Sequence, residues 1–292
     1  MLYNEQLWFN MKMLSHETIK NLNDYFEQND NVILAFVFGS YAENLVREES
    51  DLDIAVYLRN ISQESRIWQD VSKITEKEVD LILLNEAPAT LTAKIFHAGI
   101  PLVIRDRNLY WNLYLTASIE AEDFAIFSED YRNISRRAKS LAPEDRARLI
   151  ERLQFLEMEF GELESFRAVT YKEYLDDKVR RRNIERWVEN LLNATIDIAK
   201  LVLASHKALM PRTYEQTLRE FGVRAGLSEE ISHELAGFAR LRNILAHEYL
   251  DILYSRIRKF LEKAPQYYPV ILKFLEDYLA NDAGNQEAKE GI

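Results

Sequence analysis

The pattern of apolar residues changes near Leu109, and this change divides the chain into two differently built halves. Before it, short apolar runs alternate with helical patterns, and the run from Val32 to Phe38 ends at Gly39. Runs of this length and composition predict buried strands. After Leu109, apolar residues recur three or four positions apart, which is typical of amphipathic helices. We therefore expect an α+β N-terminal domain, a mixed sheet with helices, followed by an all-α helical bundle.

The first half contains four strand patterns and three helix patterns. Ser15 is suited to cap the first helix, the second carries Ile67 and Val71 on one face, and Pro88 and Gly99 bound the third. The strand patterns span 32–38, 51–58, 78–84 and 101–105.

We place the boundary between the domains at the helix start formed by Ala142 and Pro143. The expected domains are residues 1–142, with a core at about 15–105, and residues 143–280. Residues 281–292 are polar and contain glycine, so we expect a disordered tail there. Helices should begin or break at four prolines, which are Pro143, Pro211, Pro265 and Pro269.

The composition limits the kinds of partner that this protein can bind. The net charge of -11 argues against a general nucleic-acid binder, DNA included, because phosphate affinity comes from cationic side chains. Any RNA contact needs a local patch, and the basic clusters are either solvated helix faces or such a patch. These clusters are Arg180, Arg181, Arg182 and Arg186, then Arg146, Arg148 and Arg152, and finally Arg240 and Arg242.

Cysteine is absent, which suits a reducing compartment and excludes thiolate metal sites. No stretch reads as a signal peptide or reaches the roughly 18 apolar residues of a membrane span. We therefore expect a cytoplasmic protein without membrane contact.

Three aspartates point to a metal site. Asp51 and Asp53 project from the same side of one predicted strand, because successive strand residues alternate between faces. Asp80 lies inside another predicted strand, which would deliver a third carboxylate. Three converging carboxylates repel one another without a cation, and they suit one or two Mg²⁺ or Mn²⁺ ions that also bind substrate phosphates.

Gly39 and Ser40 follow the first predicted strand directly. Glycine lets a backbone approach a phosphate closely, and we expect a short helix from Ala42 to aim its N-terminus at that phosphate. The turn and the aspartates together predict a site for a nucleoside triphosphate.

This combination resembles the minimal nucleotidyltransferases of the polymerase-beta superfamily, across residues 15 to 105. The resemblance implies that Asp51, Asp53 and Asp80 are catalytic metal ligands, with Asp80 also acting as the base. It implies ATP as substrate, bound by Gly39 and Ser40. Many relatives carry an arginine shortly after the Gly-Ser pair, whereas this chain reads Tyr-Ala-Glu-Asn-Leu, so a phosphate-contacting cation must come from elsewhere, such as Arg47.

A second motif, Arg242-Asn243 followed by His247 and Tyr249, lies in the helical half. On a regular helix Arg242 and His247 are about 140° apart, so their cooperation needs a helix end, a distortion or a partner subunit. Imidazole and guanidinium groups suit RNA cleavage as a proton-transfer group and a phosphorane stabiliser. The same spacing also fits a helix-terminal histidine beside a surface arginine.

Across residues 145 to 280 this half resembles HEPN domains of the toxin type. The resemblance implies a homodimeric bundle in which Arg242 and His247 cleave RNA, with Asn243 supporting them. In toxin–antitoxin pairs of this family the nucleotidyltransferase adds AMP to the tyrosine of the motif and silences the ribonuclease. Tyr249 is the corresponding residue here, although a packed structural tyrosine fits the sequence as well.

The leading hypothesis is thus a toxin–antitoxin-like protein on one chain. Its Mg²⁺-dependent nucleotidyltransferase would transfer AMP from ATP to Tyr249 and restrain an endoribonuclease. Two alternatives remain open. One is a nucleotidyltransferase that modifies an aminoglycoside, because an acidic protein suits a polycationic substrate. The other is a nucleotide sensor without catalytic activity that regulates a separate partner.

Overall fold

The computed structural model describes residues 15–43, 45, 50–137, 141–247 and 253–290, with the side chains of all of these except 16, 243–247, 253 and 283–290. The chain forms two compact units, one ending at Asp123 and the other beginning at Phe124. This division lies earlier in the chain than the boundary expected at residue 142.

The first unit consists of four strands and the helices between them. The strands are β1 (Val32–Val37), β2 (Leu52–Leu58), β3 (Val79–Leu83) and β4 (Ile100–Ile104), each within one residue of its predicted segment at both ends. The helices are α1 (His16–Gln28), α2 (Glu64–Thr75) and α3 (Ala89–Ala98), and 3-10 turns span Gly39–Tyr41 and Ile61–Gln63. Ser15 caps α1 by accepting a hydrogen bond from the backbone N–H of Thr18.

The four strands form one sheet in the order β3-β2-β1-β4. Strand β1 is antiparallel to both β2 and β4, whereas β2 and β3 are parallel. Helix α2 lies in the crossover between β2 and β3, as a parallel pair requires. The mixed sheet predicted from the sequence is confirmed.

The two faces of the sheet bury different apolar clusters. On one face Leu52, Ile54 and Val56 pack in a cluster with residues of α1 and α2. On the other face Ala55 packs in a cluster with residues of β1 and α3. The alternation along β2 follows from the two-residue period of a strand, and it fixes the face on which Asp53 lies.

Every described element of the second unit is helical, which confirms the predicted all-α bundle. Helix α4 (Arg107–Arg136) contains the division between the units. It is followed by α5 (Pro143–Gly161), α6 (Leu163–Arg167), α7 (Tyr171–Asp176), α8 (Lys178–Ser205), α9 (Tyr214–Arg224), α10 (Glu229–His247) and α11 (Leu253–Glu290). No helix in the described part of the chain has the length and apolar content that crossing a membrane requires.

Helix α8 is the central element of this unit. Asp177 caps it by accepting hydrogen bonds from the backbone N–H groups of Val179 and Arg180. From Ala194 to Ser205 nearly every residue is buried, so the helix is surrounded by its neighbours rather than amphipathic. Phe124, Phe127 and Tyr131 of α4 belong to the same core, which explains why the second unit begins before residue 142.

A charged network links α4, α5 and α8. Lys200 is only 7% exposed as a residue, and its ammonium lies 2.8 Å from Asp130 and 3.5 Å from Asp197. Arg148 donates to the same Asp130 at 2.8 Å, and Arg152 pairs with Asp197 at 3.2 Å. A buried ammonium is tolerated only with such partners, so the network specifies how these three helices pack.

Two expectations for the C-terminal region differ from the structure. Pro143 begins α5 as expected, but α11 continues through both Pro265 and Pro269. A proline inside a helix costs about 3 kcal/mol, and the apolar side chains that α11 buries on either side of the two prolines offset that cost. These buried residues are Leu261, Ala264, Tyr267, Tyr268, Ile271 and Leu275. The helix also runs to Glu290, where a disordered tail from residue 281 was expected.

Candidate functional site

Asp53 and Asp80 lie side by side on neighbouring strands. They are partners in the register of the parallel pair β2–β3. Because paired residues of adjacent strands point to the same side of a sheet, both side chains lie on one face. This is the α3 face, since Ala55 and Ile82, two positions further along each strand, pack in the cluster that contains α3.

The turn after β1 lies directly against the Asp53 carboxylate. The backbone N–H of Phe38 donates to the Asp53 carbonyl at 3.0 Å. Gly39 has a φ of +65°, and a Cβ atom at this position would overlap Asp53 Oδ2. Glycine is thus required here both for the left-handed backbone and for the close approach of the turn to the carboxylate.

The turn is shorter than the sequence suggested. A 3-10 turn over Gly39–Tyr41 replaces the short helix expected from Ala42, and the backbone N–H groups of Ala42 and Glu43 donate to the Gly39 carbonyl. Ser40 is half-buried within this turn. Arg47, the cation suggested from the sequence, lies outside the described residues.

Burial and neighbouring charges both affect the pKa of Asp53. Burial raises the pKa of Asp53, the charges of Asp80 and Asp51 raise it further, and the charge of Lys94 opposes them. Among the described residues, no three acidic or histidine side chains are gathered closely enough to hold one metal ion. The predicted carboxylate trio is therefore not preassembled in the protein alone, in keeping with the repulsion that raises the pKa of Asp53.

Lys94 is a residue of this site that the sequence analysis missed. It lies on α3, and its ammonium is 3.4 Å from the carboxylate of Glu43, which follows the Gly39–Tyr41 turn. Both side chains are largely solvent-accessible, with 61% of Lys94 and 36% of Glu43 exposed. Lys94 was one of two basic residues in the third predicted helix, but spacing alone did not show that this helix faces the turn.

Asp80 also borders an open groove of about 510 Å³ at the free edge of β3. Trp68 of α2 lines this groove, and its indole N–H donates to the Val79 carbonyl at 2.9 Å. Asp80 itself is exposed. A hydroxyl group approaching this edge of the sheet can therefore reach the third aspartate from solvent.

In the second unit, Arg242 is held by two neighbouring helices. Its Nε–H donates to Asn193 Oδ1 of α8 at 2.8 Å, and its guanidinium lies 5.2 Å from the centre of the Tyr214 ring of α9. Tyr214 is itself fixed by edge-on contacts with Phe124 and Phe127, at 5.1 and 5.3 Å between ring centres. The guanidinium orientation is therefore set by packing, and neither contact was visible from the sequence.

The described part of α10 extends to His247, and residues 248–252 lie outside the described set. The backbone of Asn243 lies in the same helix, the side chains of Asn243 and His247 are outside the described set, and Tyr249 lies outside the described residues altogether.

Several arginines of the basic clusters are paired with acidic side chains. Arg148 and Arg152 belong to the network of α4, α5 and α8, and Arg146 pairs with Asp282 at 3.6 Å. Arg180 and Arg240 contact Glu173 and Glu215, each at 2.6 Å. These pairs favour solvated and packed helix faces over an RNA-binding patch.

Known proteins resemble parts of this chain. The tRNA nuclease HepT of Aphanizomenon flos-aquae (strain 2012/KM1/D3) is 27% identical over 128 residues, which are 44% of this chain and 87% of that protein. A crystal structure of a toxin–antitoxin with AMP-PNP is 22% identical with a TM-score of 0.32, covering 40% of this chain and 98% of its own. A structure of the tri-AMPylated Shewanella oneidensis HEPN toxin in complex with MNT antitoxin is 18% identical with a TM-score of 0.29, covering 38% and 97%.

Two family models match successive parts of the chain. The model for polymerase beta nucleotidyltransferases matches residues 20–108, which include the Gly39–Tyr41 turn and all three aspartates. The model for HepT-like ribonucleases matches residues 156–277, which include the segment from Arg242 to Tyr249. The chain thus carries a polymerase beta nucleotidyltransferase domain followed by a domain of the HepT-like ribonuclease family.

Proposed function

We propose that this protein is an adenylyltransferase that transfers AMP from ATP to the phenolic hydroxyl of Tyr249. The modification restrains an RNA-cleaving activity of the helical unit, so that toxin-like and antitoxin-like functions share one chain. The observation that carries the proposal is the Asp53–Asp80 pair beside Gly39 in a unit that matches nucleotidyltransferases.

The donor set of this site fits a divalent cation. Asp53 and Asp80, with Asp51 acting on Asp53 electrostatically, offer the carboxylate oxygens that Mg²⁺ and Mn²⁺ prefer. Burial and the repulsion from neighbouring carboxylates raise the pKa of Asp53, and a bound cation would relieve the repulsion. Asp51, Asp53 and Asp80 would hold such an ion, which would lower the pKa of an attacking hydroxyl and neutralise phosphate charge.

The proposed transfer of AMP forms one bond at the α-phosphorus of ATP and breaks another. The phenolic oxygen of Tyr249 forms a bond to the α-phosphorus of ATP, and the bond from that phosphorus to the bridging oxygen of the β-phosphate breaks. The electron pair of the broken bond leaves with pyrophosphate. The phenolic proton passes to Asp80, whose exposure at the edge of β3 makes it accessible to an incoming acceptor. Gly39 and Ser40 hold the triphosphate through the turn.

RNA cleavage is assigned to Arg242 and His247, with Asn243 in a supporting role. His247 transfers the proton, and Arg242 stabilises the charge that develops on the phosphate. The contacts of Arg242 with Asn193 and Tyr214 support this assignment, because a catalytic guanidinium must be held in place before substrate arrives.

Modification of Tyr249 silences this activity through charge and bulk. Tyr249 follows His247 by two residues, so an attached AMP brings a phosphodiester anion and a nucleoside close to the cleavage motif. The anion repels RNA phosphates and competes for Arg242. A homodimer through the helical unit would place two such motifs at one cleft.

The transferase activity is tested by incubating the full chain with radiolabelled ATP and Mg²⁺. Label should appear on the wild-type protein and should be absent from Asp51→Ala and Asp53→Ala. Release of pyrophosphate only when an aminoglycoside is added, without labelled protein, would instead indicate a small-molecule acceptor, and nucleotide binding with neither product would indicate a sensor.

The ribonuclease activity needs a separate assay, with total RNA as the substrate. Asp53→Ala protein, which cannot modify itself, should cleave RNA faster than wild type. The double variant Asp53→Ala/His247→Ala should not cleave, and cleavage that survives this change would remove His247 from the mechanism.

A further inference from the structure

Lys94 stands beside the turn and the acidic pair without a role in the function described so far. Its ammonium is 3.4 Å from the Glu43 carboxylate, and the Glu43 backbone N–H donates to Gly39, the residue that touches Asp53. Its positive charge acts on Asp53 directly. Lys94 of α3 thus lies beside both the Gly39–Tyr41 turn and the face of the sheet that carries Asp53 and Asp80.

The surroundings of Lys94 are otherwise acidic. Asp51, Asp53, Asp80 and Glu43 all lie on or beside this face, and ATP would bring several more negative charges. A divalent cation held by the aspartates would compensate part of this charge, and a cationic side chain would have to compensate the rest.

Two other basic side chains of this unit are engaged elsewhere. Lys77 lies 5.8 Å from the centre of the Tyr41 ring, and Tyr41 packs in the cluster on the opposite face of the sheet. Arg105 lies at the opposite end of β1 from the turn, where it donates to the backbone carbonyls of Phe26 and Val32. Lys94 is exposed and its ion pair with Glu43 lies at the surface, so the ammonium can exchange this partner at small cost.

We infer that Lys94 binds the β- and γ-phosphates of ATP, with Glu43 holding its ammonium in place while the site is empty of nucleotide. The inference rests on the proposed adenylyltransferase function and names the cation that the site needs. On nucleotide binding the ammonium exchanges the Glu43 carboxylate for phosphate oxygens. When the bond from the α-phosphorus to the bridging oxygen breaks, Lys94 offsets the charge that the departing pyrophosphate acquires.

Equilibrium binding to the full chain in Mg²⁺ tests this inference with ATP and AMP as probes, because AMP lacks the β- and γ-phosphates. Lys94→Met should weaken ATP binding by about 10- to 100-fold, the loss expected for a charged hydrogen-bonding partner, and should change AMP binding by less than about threefold. Lys94→Arg should restore most of the ATP affinity. Glu43→Gln should tighten ATP binding by about two- to fivefold, since the ammonium no longer has to leave a carboxylate.

Lys73→Met is the matched control, because Lys73 is an exposed lysine of α2 outside the site, and it should bind ATP as wild type does. Unchanged ATP affinity in Lys94→Met, equal losses for ATP and AMP, or a loss confined to Lys77→Met would each overturn the assignment. These outcomes are distinct from a failure of the proposed function, in which the wild-type chain itself would neither bind Mg·ATP nor become labelled.

Discussion

Asp53 of β2 is the register partner of Asp80 of β3, so the two carboxylates extend from adjacent positions of a parallel strand pair. Without a cation this arrangement is unfavourable, and the pKa of Asp53 is raised by burial and by its acidic neighbours. The chemistry of such a carboxylate pair suits the binding of a cation and phosphate transfer.

Asp53→Asn removes the charge of one of the two paired carboxylates. Transfer of AMP should fall by about 100-fold or more, because metal-assisted stabilisation of a phosphoryl transition state is worth several kcal/mol. Thermal stability in the absence of metal should rise, since the change removes a repulsive charge from the folded state. Asp24→Asn, an exposed change on α1, serves as the control for both measurements. A lower melting temperature for Asp53→Asn than for wild type in the absence of metal would contradict the claim that the charge of Asp53 destabilises the folded protein.

Gly39→Ala tests the contact between the turn and the carboxylate. The added Cβ would overlap Asp53 Oδ2, and the left-handed backbone costs a non-glycine residue about 1–2 kcal/mol. We expect a destabilised protein whose transfer rate falls by about 100-fold, the effect of a small misplacement of reacting groups. Gly161→Ala is a matched control because a Cβ there meets no atom within 4 Å, and it should leave transfer unchanged. Equal behaviour of the two variants would show that the turn does not position the site.

Asn193→Ala tests how Arg242 is held for RNA cleavage. Loss of the hydrogen bond to the guanidinium should lower kcat by about tenfold with little change in KM, because the arginine then samples other orientations. The measurement is RNA cleavage in the Asp53→Ala background, with circular dichroism to confirm folding. Asn183→Ala, an exposed change on the same helix, should cleave normally. If the Asn193 variant cleaves as fast as this control, the contact has no catalytic role.

A pH-dependent stability is expected from Asp130. Burial by itself would raise the pKa of Asp130, but hydrogen bonds and charges from Arg148 and Lys200 outweigh burial and lower it to about 2. A carboxyl whose folded pKa lies below its unfolded value of about 3.9 stabilises the fold above that value, and this stabilisation is lost as the pH falls through the folded pKa.

Asp130→Asn should therefore lower the free energy of unfolding by about 2 kcal/mol at pH 7. The difference from wild type should shrink as the pH falls from about 4 to about 2. Denaturant titrations at a series of pH values measure it, with Asp176→Asn as an exposed control of small effect at every pH. A difference that stays constant with pH would mean that the ion pairs do not set this stability.

The sequence predicted the strands and the face of the aspartates because both follow from local rules. Alternation along β2 determines that Asp53 points away from Leu52 and Ile54, whatever the rest of the fold does. The position of Asp80 beside Asp53 depends also on the pairing of β3 with β2. The structure shows this pairing.

The contacts of Lys94 and Arg242 could not be predicted in the same way. Asn193 precedes Arg242 by 49 residues, and Lys94 comes from a helix after the last aspartate strand. Helical periodicity shows which residues share a face, but the neighbour that each face meets depends on tertiary packing. Packing also overrides the local rule at Pro265 and Pro269, where buried residues on both sides keep α11 continuous.

Modification of Tyr249 is the central claim, and the intact mass of the protein tests it most directly. After incubation with ATP and Mg²⁺, wild-type protein should gain one or more AMP units, whereas Tyr249→Phe should gain none and Asp53→Ala should stay at its unmodified mass. AMP added to Tyr249→Phe at the wild-type rate, or no mass change in wild-type protein that arrives unmodified, would contradict the account.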